Sequence, residues 1–99
     1  MKLIVFDEAT IDVAEAAKWY NLEVEELGEK LVSEYEGILD FILKSPLTKQ
    51  IRLSKRIRLA HLHTFPYSVF YEIKPNAIVV VAFLHQKRNA KRILKERRK

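Results

Sequence analysis

Residues 57–88 read IRLAHLHTFPYSVFYEIKPNAIVVVAFLHQKR, a stretch in which apolar and β-branched residues run between two short turn signals. The pattern predicts three strands, over 57–63, 67–74 and 77–85, with turns at 64–66 and at Pro75 and Asn76. Strands joined this tightly make an antiparallel meander. The third, AIVVVAFL, is almost continuously apolar and belongs at the centre of a sheet with both faces covered. The second mixes polar with apolar positions and is expected to leave one face to water. A doubly covered strand needs a lid from elsewhere in the chain.

The first half supplies one. Residues 2–6 read as a strand ended by Asp7, a residue type that caps helices. Over 8–21, Ala9, Val13, Ala16 and Tyr20 fall at helical spacing on one stripe, with Asp7, Glu8 and Asp12 near the positive end of the helix. Asn21 and Leu22 read as the break. From 23 to 44, Val24, Leu27, Leu31, Tyr35, Ile38 and Ile42 recur every three or four residues as a second, longer helix, and Pro46 blocks its continuation. A short connection makes the pair an antiparallel hairpin whose apolar faces cover the sheet. Residues 47–56, LTKQIRLSKR, alternate briefly at Ile51 and Leu53 and fit either a strand or a loop. Residues 87–99 are good helix formers with Ile93 and Leu94 as apolar anchors, which fits a short docked helix or a frayed tail. The fold class is therefore α+β: an N-terminal strand, a two-helix hairpin, a three-stranded antiparallel meander and a short basic C-terminal helix or tail. Ninety-nine residues leave room for one core, so 1–99 reads as a single domain.

Composition narrows the chemistry. Without cysteine there is neither a disulfide framework nor a thiolate metal site, and the three histidines have no ligand spacing. Gly28 and Gly37 are the only glycines, too few for a phosphate-cradling loop, so no metal or organic cofactor is expected. No apolar run approaches the roughly 20 residues of a membrane span, and the apolar start LIVF meets Asp7 and Glu8 at once, unlike a signal peptide. A cytoplasmic location without membrane contact is expected. The net charge of +5 hides a division: residues 1–43 carry three Lys/Arg against eleven Asp/Glu, a balance of −8, and residues 44–99 carry 15 against two, a balance of +13. A basic half of this size suits a polyanionic or acidic partner, and equally suits attraction between the halves within the fold.

Individual side chains carry competing readings. His61, His63 and His85 titrate nearest neutrality and are candidate acid/base groups, with His61 and His63 on one strand face, yet no carboxylate is paired with them in sequence. Tyr20 reads as sealing the edge of a core. Trp19 beside it fits either a core edge or a partner groove. Arg58 shares a strand face with Ala60 and Leu62 and suits a structural ion pair with a helix acid as well as a target contact. Arg88 is the stronger functional candidate, while the Lys/Arg run after it fits a solvated tail or a polyanion contact.

The order of elements resembles the ParE branch of the RelE/ParE toxin superfamily, the toxic components of bacterial type II toxin–antitoxin modules. The residues that carry the resemblance are Ala9, Asp12, Ala16 and Trp19-Tyr20, then Leu27-Gly28, Pro46 and Arg58, then Phe65-Pro66-Tyr67 and Tyr71, and finally His85 with Arg88. The resemblance implies a toxin held inactive by a cognate antitoxin in a hetero-oligomer, with DNA gyrase as the target. The implied contact residues for target or antitoxin are Trp19, Arg58, Tyr67, Tyr71, His85 and Arg88. RelE-like members are instead metal-independent, ribosome-dependent mRNA endoribonucleases. On that alternative the catalytic candidates are Arg58, His61, His63, His85 and Arg88. The strand arginine of those enzymes falls on Ser68 here and the C-terminal tyrosine of some falls on Leu94. A serine cannot neutralise a developing phosphoryl charge and a leucine cannot exchange a proton. A third possibility is a degenerate toxin kept as an antitoxin-binding module.

Overall fold

The computed structural model describes residues 1–49 and 56–97. Their order is β1 (Lys2–Val5), α1 (Asp7–Glu23), α2 (Leu27–Lys44), β2 (Ile57–His61), β3 (Tyr67–Ile73), β4 (Ala77–His85) and α3 (Ala90–Arg97). The sheet order is β1-β4-β3-β2, with β4 antiparallel to β3, β3 antiparallel to β2, and β1 added parallel to β4. The α+β class and the meander are as the sequence predicts, and β4 is central and buried along nearly its whole length. The alternation at Ile51 and Leu53 lies outside the described residues. No helix among the described residues is long and apolar enough to cross a membrane.

Several boundaries differ from the sequence reading, each for a local reason. β1 ends at Val5, and Phe6 rather than Asp7 occupies the N-cap position, without a side-chain cap; Asp7 and Glu8 sit inside the first turn, where their charges favour the helix N-terminus. α1 does not break at Asn21 and Leu22. It runs on to Glu23, because Asn21 is used as a staple: its Oδ1 accepts the Gly28 N–H at 2.7 Å. The reversal comes instead at Glu26, whose φ of 66° lies in the left-handed region, and α2 starts at Leu27 rather than near 23. β2 ends at His61, so His63 belongs to the following turn, which Glu34 of α2 ties down by accepting the His63 N–H at 2.5 Å and the Thr64 N–H.

The two faces of the sheet are both covered, by different helices. α1 and α2 bury Ala9, Val13, Ala16, Leu31, Tyr35 and Ile42 against Val69, Tyr71, Ile78, Val80 and Phe83. On the opposite face Ile57, Phe70, Val79, Val81, Ala82 and Leu84 pack with Leu94 of α3. The expectation that β3 leaves one face to water is therefore wrong: Ser68, Phe70 and Glu72 on that face are buried, and Phe70 packs with Leu94 of α3. The tail holds its helix by docking, since a segment of eight residues with so few apolar anchors is marginal alone.

A break in register decides which side chains reach which face. Phe70 pairs with Ala82 but Tyr71 with Val80, leaving Val81 as the extra residue of a β-bulge in β4. Val81 and Ala82 consequently face the same side. Strict alternation from Ile78 and Val80 would have sent Phe83 and His85 to the α3 face; the bulge returns Phe83 to the face of α1 and α2.

Candidate functional site

The bulge also turns the Phe83 N–H away from β3 and past the end of β1, which pairs with β4 only as far as Val80. An unpaired edge N–H needs an acceptor. Asp12 of α1 provides it: Oδ2 accepts from Phe83 N at 3.0 Å. The same carboxylate receives a two-pronged Arg97 guanidinium from α3, Nη1 to Oδ2 at 2.6 Å and Nη2 to Oδ1 at 2.8 Å, while Nη1 also donates to the Val81 carbonyl at 3.3 Å. Both side chains are largely buried, and the Arg97 pKa is pushed further up, chiefly by the hydrogen bond to Asp12. One ion pair thus ties α1, the free half-edge of β4 and α3 into a single corner.

Four side chains singled out in the sequence meet at that corner. Trp19, Tyr67, His85 and Arg88 line an open groove of about 180 Å³ together with Asp12, Glu15, Ala16 and Phe83. Tyr67 lies flat on Phe83, with ring centroids 4.9 Å apart and planes 11° apart, and edge-on to His85 at 5.2 Å. Trp19 stands edge-on to Tyr20 at 4.9 Å and is 55% exposed, a large apolar surface for a residue beside a core. Tyr20 itself packs on Phe65. The Tyr67 phenol is pushed up in pKa by burial and by Tyr20, while the Arg88 cation pulls the other way; at neutral pH it is a hydrogen-bond donor. His85 Nδ1 accepts the Lys87 N–H at 3.1 Å, which places the proton of the neutral ring on Nε2. Arg88 is exposed in the turn after β4.

The remaining candidates are elsewhere. Tyr71 is fully buried and donates to the Pro46 carbonyl at 2.8 Å. Arg58 donates to the Lys49 carbonyl, so its partner is the chain after α2 rather than a helix acid. Both fasten that chain to the far end of the sheet. His63 is exposed in its turn and separated from His61. His61 faces the α3 side, where its Nδ1 lies 2.5 Å from the Ser68 hydroxyl; Ser68 is 1% exposed. A second cavity opens there, and His85 and Arg88 line both. Among the described residues no histidine is ion-paired with a carboxylate, and no cluster of His, Asp and Glu could hold a metal ion.

Sequence reasoning misses the Asp12–Arg97 pair and the His61–Ser68 contact. A signal for the first exists: Asp12 sits between Ala9, Val13 and Ala16 on the apolar stripe of α1, and a carboxylate there requires a partner. Nothing local points to Arg97, 85 positions away.

The family model described as ParE toxin of type II toxin-antitoxin system, parDE, matches residues 3–90. The solved structure of the chromosomal ParDE TA system from P. aeruginosa is similar at a TM-score of 0.75 and 18% identity, over 86% of this chain and 95% of that one, a likeness of fold. Comparison with curated proteins gives no match.

Proposed function

The chain belongs to the ParE toxin family of type II toxin–antitoxin systems, and from that membership we propose that it acts by binding, with DNA gyrase as its target and a co-encoded antitoxin as its inhibitor. The observation that carries the reading is the groove at the end of β4. It offers an exposed indole, a half-buried phenol and an exposed guanidinium within one surface, the aromatic-plus-arginine composition that anchors protein partners. A catalytic mode has less to draw on. The strand position that would carry a cation is Ser68, buried and engaged by His61, and Leu94 is buried in the core.

An antitoxin that crosses from the acidic first half to the basic second half would set its apolar residues against Trp19 and its carboxylates against Arg88. Purified gyrase with relaxed plasmid tests the proposal directly. The protein is expected to inhibit supercoiling, the co-encoded antitoxin to restore it, and Arg88→Ala to raise the inhibitory concentration about tenfold, equivalent to about 1.4 kcal/mol. Uninhibited supercoiling accompanied by mRNA cleavage on ribosomes would replace this reading with the ribonuclease one. Uninhibited supercoiling, no cleavage and tight antitoxin binding would indicate a degenerate toxin.

A further inference from the structure

The second cavity, on the α3 face of the sheet, shares His85 and Arg88 with the groove of the gyrase proposal and is otherwise separate from it. It measures about 310 Å³ and is lined by Leu59, His61, Phe70, His85, Gln86 and Lys91, with Ser68 and Arg88 to Ala90 completing the wall. None of the lining residues is acidic. Three properties stand together. The walls carry apolar side chains from β2 and β3. Two imidazoles, from the ends of β2 and β4, line it, each with Nδ1 engaged within the fold, at the Ser68 hydroxyl and at the Lys87 N–H. The rim carries Arg88 and Lys91, and the cationic row continues through Arg92 and Lys95 at helical spacing on the outer side of α3, opposite Leu94. All four are exposed, and the acid among them, Glu96, approaches Arg92 only at 3.8 Å across an exposed i,i+4 pair.

From this arrangement we infer that the cavity and the outer face of α3 bind single-stranded nucleic acid, one nucleotide entering the cavity and the flanking phosphates following α3. Volume, chemistry and charge agree. A void of about 310 Å³ stands at the lower limit of small-ligand pockets, enough for one nucleotide and too small for a base pair. Planar rings such as imidazole and guanidinium stack on unpaired bases, and the Gln86 amide offers both a donor and an acceptor to a base edge. Lysines and arginines along α3 replace the counterions of the phosphates, which makes the affinity fall with salt. An acidic peptide would satisfy the cations but would leave the apolar, ring-walled cavity empty. The inference shares Arg88 with the gyrase reading, but its test turns on Lys91 and His61, which the groove of Trp19 and Tyr67 does not include.

Fluorescence anisotropy of labelled thymidine and uridine octamers with the full-length protein provides the test, against a duplex of the same length and an unlabelled polyglutamate competitor. A single strand is expected to bind about tenfold or more tighter than the duplex, with log affinity falling linearly in log salt. Lys91→Glu is expected to weaken binding about tenfold and to flatten the salt slope by about 0.7, the value for one phosphate of a single strand. His61→Ala is expected to erode the preference for the single strand, and Lys44→Glu, at the end of α2, to leave affinity unchanged. Trp19 fluorescence checks that each variant is folded. Equal affinity for duplex and single strand, displacement by polyglutamate at matched charge, or indifference to Lys91→Glu would each overturn the inference; the second of these would assign the face to an acidic protein.

Discussion

At the scale of the residue, the corner at Asp12 shows how a single carboxylate can hold three elements. It answers an edge N–H that β1 is too short to pair, and it neutralises a largely buried arginine whose other contact is the uncharged Val81 carbonyl. Removing one partner of a largely buried ion pair costs far more than the pair contributes, about 3 to 5 kcal/mol. Asp12→Ala is therefore expected to lower the urea midpoint steeply, and Asp12→Asn, which keeps an acceptor for Phe83, to lower it less. Equal losses for the two variants would show that the Phe83 hydrogen bond contributes little. Trp19, Tyr67, His85 and Arg88 were singled out in the sequence by what the family resemblance implies. Tyr71 and Arg58 fit the same description and are taken up in fastening the chain after α2. The resemblance gave their positions in the sequence, while their surroundings depend on contacts across the chain, such as that of Tyr71 with Pro46, 25 positions away.

At the scale of the element, the two glycines of the chain separate a packing constraint from a conformational one. A Cβ on Gly28 would lie 2.2 Å from the Ala17 carbonyl oxygen, a backbone atom that cannot swing away, so α1 and α2 approach closely only because this residue has no side chain. Gly37, in the middle of α2, has nothing within 4 Å of such a Cβ. Gly28→Ala is expected to cost about 1 to 3 kcal/mol by forcing the helices apart. Gly37→Ala is expected to stabilise by about 0.5 to 1 kcal/mol through reduced freedom of the unfolded chain. Denaturant midpoints of the two variants should move in opposite directions; a shared direction would mean that the α1–α2 approach is not set by Gly28. The helical hairpin is predictable because its periodicity is local. Its turn lies later than the sequence suggests because Asn21, a poor helix former, is retained by a contact with Gly28 seven residues away.

At the scale of the whole molecule, the sheet stands between layers of opposite charge. The acids of α2, such as Glu29, Glu36 and Asp40, are exposed on one side and the cations of α3 on the other. Asp12–Arg97 joins the two halves, whereas Lys74–Glu72 and Arg92–Glu96 both lie within the basic half. Among the described residues, the charge division read from the sequence is thus displayed on the two outer surfaces, with Asp12–Arg97 as an ion pair that spans it. The tyrosines set the alkaline limit. Tyr20, Tyr35, Tyr67 and Tyr71 all have pKa values raised above 10.0, burial being the largest cause in each. A raised folded-state pKa gives stability that is fully present below the unfolded value and is lost as pH rises through the folded one. Stability is expected to be flat through neutrality in this respect and to decline above about pH 10, the ordinary tyrosine value, with the phenolate absorbance appearing together with unfolding. Full phenolate absorbance from a chain that still shows native circular dichroism would contradict the burial of these rings.

The sequence by itself determined the α+β class, the meander, the helical hairpin, the centrality of β4 and the division of charge, because each is a matter of local period, turn chemistry or counting. It also supplied the family resemblance. Tertiary structure alone decided that β1 pairs parallel with β4, that α3 rather than water covers the second face of β3, and that Asp12 meets Arg97. The β-bulge at Val81 is the clearest case. In AIVVVAFL every position is apolar, so no alternation marks a face, and one extra residue can shift the register without leaving a trace in composition. That shift places Phe83 beside Tyr67 beneath α1 and so creates the groove, through long-range pairing that no local pattern encodes.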